Sequence, residues 1–142
     1  MAAGSSDPVR TAGRMALGLA LGAAGVGHLT SLREEFQAQV PAWVPVDADL
    51  VVVGSGIVEV ALGGALFVGR RRRLVGWLTA AFFVAILPGN VAQYVEGIDA
   101  FGLTSDRARF VRLFFQPVLV AWALWSTRAW PPRQGWQAQS GR

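Results

Sequence analysis

One carboxyl group interrupts the apolar run from Leu50 to Val68. Glu59 lies nine residues from either end of that run. At 1.5 Å per residue this is about 13 Å from both ends of a helix, close to the centre of a bilayer. Insertion scales put an ionised Asp, Lys or Arg at such a depth at about 2.5–3.5 kcal/mol. A residue of this kind faces a protein interior and is a functional candidate. Ser55, Gly56, Glu59 and Gly63 follow i+3 and i+4 spacing and share one helical face. The small members of that face let a neighbouring helix approach closely. A carboxyl group there can carry a proton, and its charge depends on whether a cation stands nearby.

The obvious cation is Arg112, near the start of the run from Phe110 to Ser126. It lies roughly 10 Å of helix axis above mid-membrane. It either reaches inward to Glu59 or extends to the outer interface. His28 ends the run from Met15 to Thr30, Asn90 and Gln93 lie late in the run from Leu74 to Val95, and Gln116 is one turn below Arg112. With alternating helix directions all of these fall in the outer half. The expected ligand site is therefore a polar layer of His28, Asn90, Gln93, Arg112 and Gln116 with Glu59 beneath it. The competing reading is a hydrogen-bonded layer that only holds the helices in register. Pro88 removes a helical hydrogen bond just before Asn90, and Gly89 loosens the chain there. A broken helix of this kind often lines a polar cavity in membrane proteins.

Four apolar runs must position these groups. Of the 142 residues 53% are hydrophobic and 15% charged, with mean hydropathy +0.40, against about 25% charged in soluble domains. Each run approaches the roughly 17–25 residues of a membrane-crossing helix. No alternation typical of a membrane barrel is present. The expected fold is all-α: a bundle of four transmembrane helices at about 14–30, 50–68, 74–95 and 110–126, a single membrane domain. Flexible tails are expected at 1–10 and 131–142, and a short amphipathic segment in the first outer loop, residues 31–49. Thr30 or Ser31 is placed to cap that segment ahead of Glu34 and Glu35, and Thr104-Ser105-Asp106 to start the fourth helix. The alternative for the first run is a cleaved signal peptide, with Arg10 and Arg14 before it. Gly18 and Gly22 form a G-x-x-x-G pair suited to helix packing.

All 13 basic residues are Arg, against 9 acids. Nine arginines (Arg10, Arg14, Arg70 to Arg73, Arg128, Arg133, Arg142) flank one side of the runs, and four (Arg33, Arg107, Arg109, Arg112) the other. The bias places both termini in the cytoplasm of a bacterial cell, with Trp125 and Trp130 at the inner headgroups. The arginines abut apolar runs and form no stripe, which argues against nucleic acid as a partner. There is no cysteine, so disulfides, thiol redox chemistry and thiolate metal sites are excluded. One histidine is too few for the usual haem ligation, and His28 with Glu59 is too few for a metal site. Neither haem nor a metal cluster is expected. No phosphate loop, Ser-His-Asp set or dinucleotide fingerprint occurs.

Gly27-His28, Val40-Pro41-Ala42-Trp43-Val44-Pro45, Gly54-Ser55-Gly56-x-x-Glu59-x-x-x-Gly63-Gly64 and Leu87-Pro88-Gly89-Asn90-Val91 follow one another in order. With Arg107, Arg109, Arg112, Gln116 and Pro117 after them, the chain from about 13 to 127 resembles the DoxX-like family of small bacterial membrane proteins. Gly89 stands where the family pattern suggests Ala. The resemblance implies a four-helix membrane bundle. It also implies that His28, Glu59 and Asn90 fall on motif positions. Some relatives are linked to thiosulfate and quinone oxidoreduction, others to oxidative-stress complexes with soluble partners, and distant ones to assembly.

Two functions follow from these readings. One is a membrane subunit supporting quinone-linked or oxidative-stress redox chemistry, with a quinone or similar amphipathic molecule in the polar cavity. It would have no stand-alone activity and would work with a soluble or membrane protein partner. The other is a non-catalytic scaffold or assembly factor, alone or as a homo-oligomer. A proton-linked carrier is a third idea, and four short helices would need a dimer for it.

Overall fold

A computed structural model describes residues 7–131, all six of whose regular elements are helices: α1 (Pro8–Leu29), α2 (Arg33–Gln37), α3 (Ala48–Val68), α4 (Arg72–Ala85), α5 (Leu87–Val95) and α6 (Asp106–Ser126). The expected loose tails beyond these residues, with Arg133 and Arg142, lie outside the described residues. Residues 8–10, expected as tail, belong to α1. Asp7 caps the helix by accepting from Val9 and Arg10 backbone N–H groups, and Pro8 sits at its first position, where a missing N–H costs nothing. Asp47 and Ser105 cap α3 and α6 in the same way. The helix α2 starts at Arg33 without a side-chain cap; the Thr30 hydroxyl instead donates back to Val26 O.

Three helices are long and apolar enough to cross a membrane: α3, α4 and α5 taken as one 24-residue span, and α6. The 22 residues of α1 match them in length, but α1, which carries Arg10, Arg14 and His28, is not one of the three. The surface is inverted relative to a soluble domain. Large side chains such as Leu19, Ile57, Phe67, Trp77, Phe114 and Phe115 are exposed, while Arg14, His28, Glu59, Asn90, Gln93, Arg109 and Gln116 are buried. Water would strip such an arrangement apart, whereas hydrocarbon outside and polar groups inside are what a bilayer demands.

The helices associate as two antiparallel pairs. In the first, α1 lies along α3. A Cβ on Gly18 would meet Gly63 O at 2.7 Å, one on Gly25 would meet Gly56 O at 2.7 Å, and one on Gly63 would meet Gly22 N at 2.7 Å. The backbones are therefore in contact, as small-residue faces allow. The second pair is α4–α5 with α6, and α3 does not touch α6. The pairs meet at one end, around Leu17, Leu21, Leu66, Val75, Phe83 and Ala123. Arg14 Nη1 donates there to Leu66 O and Phe67 O, and Arg10 Nη1 to Trp125 O, so two arginines of α1 cap the last carbonyls of α3 and α6. Gly69 ends α3 with φ 76°, and a Cβ there would strike the Arg14 guanidinium.

At the other end the pairs diverge. The chain of α4 breaks at Ile86, before Pro88, and resumes as α5. The connection 30–47 crosses this opening, tied to α3 by Arg33 and Gln37, both donating to the Asp49 carboxylate. The loop 96–105 is held by Arg109, which donates to Ile98 O, Asp99 and Asp106.

Candidate functional site

Between the diverging pairs lies a cavity of about 410 Å³. Its walls come from α1, α3, the α4–α5 break and α6, and residues 36–44 form its roof. Most of the lining is apolar, including Leu17, Leu21, Val52, Phe83, Ile86 and Leu119. The polar groups are His28, Gln39, Ser55, Glu59, Asn90, Arg112 and Gln116.

Five of the six residues expected to form the site are thus brought to one cavity. Gln93 is the exception. It is fully buried, but it points at the roof: Gln39 Nε2 donates to Gln93 Oε1 at 2.6 Å, and Gln93 Nε2 donates to Ala100 O at 3.3 Å. Its role is to hold the roof and the 96–105 loop to α5. Gln116 is part structural as well, since its Nε2 donates to Phe83 O at 2.8 Å, next to the break in α4–α5. Asn90 lies in α5 just past the break and lines the cavity.

Glu59 does not pair with Arg112. Its Oε2 faces His28 Nε2 at 3.5 Å, and both side chains are more than nine-tenths buried. Neither of these two atoms has a hydrogen-bond partner among the described residues. On its other side the His28 ring meets Ser55 Oγ at 3.0 Å through Nδ1, and the Ser55 hydroxyl donates to Val52 O at 3.0 Å. The Phe36 ring lies tilted by 55° against His28 with centroids 3.4 Å apart, and Phe101 packs edge-on to Phe36 at 4.6 Å. The Arg112 guanidinium lies over the Phe101 ring, 5.3 Å from its centroid, and forms no ion pair among the described residues. It also borders an open groove on the outer face of α6, lined by Leu103, Ser105, Arg107, Val111 and Phe115. Among the described residues no three His, Asp or Glu side chains gather as a metal site would require.

The roof residue that sequence reasoning passed over is Gln39. Phe36, Val40, Trp43 and Val44 are the apolar edge of the expected amphipathic segment, and they line the cavity beside it. A signal was present in Gln39 itself, a polar residue between the apolar Phe36 and Val40.

A family model, described as a domain of unknown function (DUF8561), matches residues 17–127. The chain belongs to the DUF8561 family. The matched segment begins at Leu17, in the α1–α3 contact, and ends at Thr127, just past α6, so the whole cavity lies within the DUF8561 domain. No curated protein and no solved structure matches the chain.

Proposed function

We propose that this DUF8561 protein is a four-pass protein of the bacterial cytoplasmic membrane, of DoxX-like kind. In this reading it binds an amphipathic molecule of the quinone class in its outer-half cavity and supports the redox chemistry of a protein partner. The observation that carries the reading is the pair of buried, unpartnered atoms, His28 Nε2 and Glu59 Oε2, on the wall of a largely apolar cavity of about 410 Å³. Buried polar atoms are normally satisfied, and a chamber of this size and character suits a small ligand with a polar head.

Support for the fourth crossing is the full-length contact of α1 with α3, an apolar span. Support for the orientation is the gathering of Arg10, Arg14 and the Arg70–Arg73 turn at one end, where the positive-inside bias puts the cytoplasm. In this arrangement the apolar wall takes a ring and tail. Asn90 and Arg112 orient polar atoms of the head, and Glu59 with His28 exchanges one of the two protons that accompany the two-electron change at the ring, the second proton passing to water and both electrons to or from a redox group of the protein partner. A purely structural role has weaker support, because Gly18, Gly25, Gly56 and Gly63 are already engaged in contacts within the chain.

The test is titration of decylubiquinone and decylubiquinol into the purified protein in nanodiscs, followed by quenching of tryptophan fluorescence. Saturable binding, weakened about tenfold or more in Glu59→Gln, is expected from loss of one buried charged or strongly bonded group. The absence of saturable binding of either form overturns the reading.

A further inference from the structure

Two donor groups on the cavity wall are left without acceptors. The carboxamides of Gln39, Gln93 and Gln116 are engaged with one another or with backbone carbonyls. Asn90 lines the same cavity, is 6% exposed and makes no side-chain hydrogen bond among the described residues. Its amide atoms are not shut in as His28 Nε2 and Glu59 Oε2 are, so the little surface it keeps opens into the cavity. Arg112 is the second group. At the open end of the molecule Arg33 is tied to Asp49, and Arg109 to Asp99 and Asp106. Arg112 has the Phe101 ring, which attracts a cation but supplies no opposite charge. Glu59, the one acid on the cavity wall among the described residues, faces His28 and forms no ion pair with Arg112. At 1.5 Å per residue Arg112 lies about 9 Å along α6 from Asp106, a depth at which an uncompensated charge is costly. The bond from Gln116 to Phe83 O fixes the register of α6 against the α4–α5 chain. One turn further out, that register sets Arg112 level with Leu87, roughly one helical turn from Asn90.

Arg112, Gln116 and Leu119 also line the groove on the outer face of α6. Their spacing places them in one stripe of the helix, so a single row of side chains separates cavity from groove. The groove continues over the exposed apolar side chains of Val111 and Phe115, and α3 makes no contact with α6 that would close the bundle. We infer that the cavity takes an anionic amphiphile, a carboxylate on a single apolar chain, with Arg112 and Asn90 holding the carboxylate and the chain passing Gln116 and Leu119 into the groove. Arginine offers only donors and a permanent charge, so the group that meets it is an acceptor, and an anion is the one that compensates it. A carboxylate brings one charge for one guanidinium, whereas a phosphate monoester would bring a second charge toward Glu59. This occupant goes beyond the quinone-class reading and does not depend on it, since it needs neither proton nor electron transfer.

The test is binding of tritiated laurate at pH 8 to the protein in nanodiscs, with the signal of empty nanodiscs subtracted, and its displacement by unlabelled laurate, dodecanol and butyrate. Laurate is expected to displace at concentrations about tenfold or more below those of dodecanol, which has the chain without the charge. Butyrate, which has the charge without the chain, should fail to displace in the same range. Arg112→Gln should weaken laurate binding about tenfold or more and leave dodecanol unchanged, Arg112→Lys should retain part of the preference, and Asn90→Ala should weaken laurate several-fold. Arg107→Gln, which removes an exposed arginine outside the cavity, should have little effect. Thermal unfolding checks that each variant is folded, and the comparison of laurate with dodecanol in the unaltered protein needs no variant at all. Equal displacement by laurate and dodecanol, or equal losses in Arg107→Gln and Arg112→Gln, overturns the inference. Displacement by butyrate as effective as by laurate overturns the chain path through the groove. None of these outcomes bears on the quinone-class reading, which decylubiquinone titration tests separately.

Discussion

Arg14 is 4% exposed and places its guanidinium on the carbonyls of Leu66 and Phe67, at the end of α3. A helix leaves its last carbonyls without intrahelical partners, and inside a bilayer no water replaces them. Arg14→Met keeps the apolar stem but leaves these acceptors bare. Loss of a buried hydrogen bond to a charged group is worth about 1.5–3 kcal/mol, and the melting temperature in detergent micelles is expected to fall accordingly. Arg70→Met, at an exposed position, should change stability by less than about 0.5 kcal/mol. The same residue scale shows what a single sequence discloses. An acid in mid-run had to face inward, and Glu59 does. Its neighbour was not legible, because His28 lies 31 positions away and reaches Glu59 only through the close α1–α3 approach. Arg112 was the nearer guess on charge alone, yet its aromatic neighbour Phe101 comes from a loop whose path no periodicity describes.

At the scale of elements, the glycines separate into two kinds that sequence alone cannot distinguish. Gly56 and Gly63 look like Gly54 and Gly64 in the run of α3. A Cβ on Gly63 would stand 2.6 Å from Gly18 O, and one on Gly56 2.7 Å from His28 Cβ, while Gly54 and Gly64 have nothing within 4 Å. Gly63→Ala should force α1 and α3 apart and lower stability, because rigid backbone cannot yield as a flexible side chain does. Gly64→Ala should raise stability by about 0.5–1 kcal/mol through helix propensity. Thermal unfolding of the two variants checks the contrast, and equal effects would contradict the close crossing. The roof element calls for a different measurement. Donation to the Asp49 carboxylate holds the Arg33 pKa above its ordinary value, so the guanidinium stays charged throughout the neutral range and the tie depends on Asp49. Asp49→Asn should therefore accelerate hydrogen exchange in residues 33–44 and leave α4 unchanged. The helices themselves were legible because each apolar run is bounded by caps or arginines. The break at Ile86 was announced by Pro88, and Ser105 announced the start of α6. Of the roof, the amphipathic segment was legible and Gln39 was not, since its partner Gln93 lies 54 positions away.

The whole molecule is organised by which of its ends meets which side of the membrane. Arg10, Arg14, Arg72 and Arg128 share the end where the two helix pairs converge, and the acids Glu34, Glu35, Asp49, Glu96, Asp99 and Asp106 lie at the end where they open. The cavity is at the open end, so the proposed orientation decides which leaflet supplies its ligand. The complete lack of cysteine makes this unusually direct to measure, because any thiol introduced is the only one. Glu96→Cys and Arg70→Cys both fall at exposed positions, at opposite ends. With the positive end inside, an impermeant maleimide added to intact cells should label Glu96→Cys and spare Arg70→Cys until the membrane is opened. Replacing Arg70 to Arg73 by Gln removes the densest short cationic loop, where the bias acts most strongly, and should give a mixed population in which both sites label. The reverse pattern in the single variants would place the cavity in the inner leaflet. Its ligand would then have to be an amphiphile available from the cytoplasmic side, and the partner exchanging electrons with it would stand at that face.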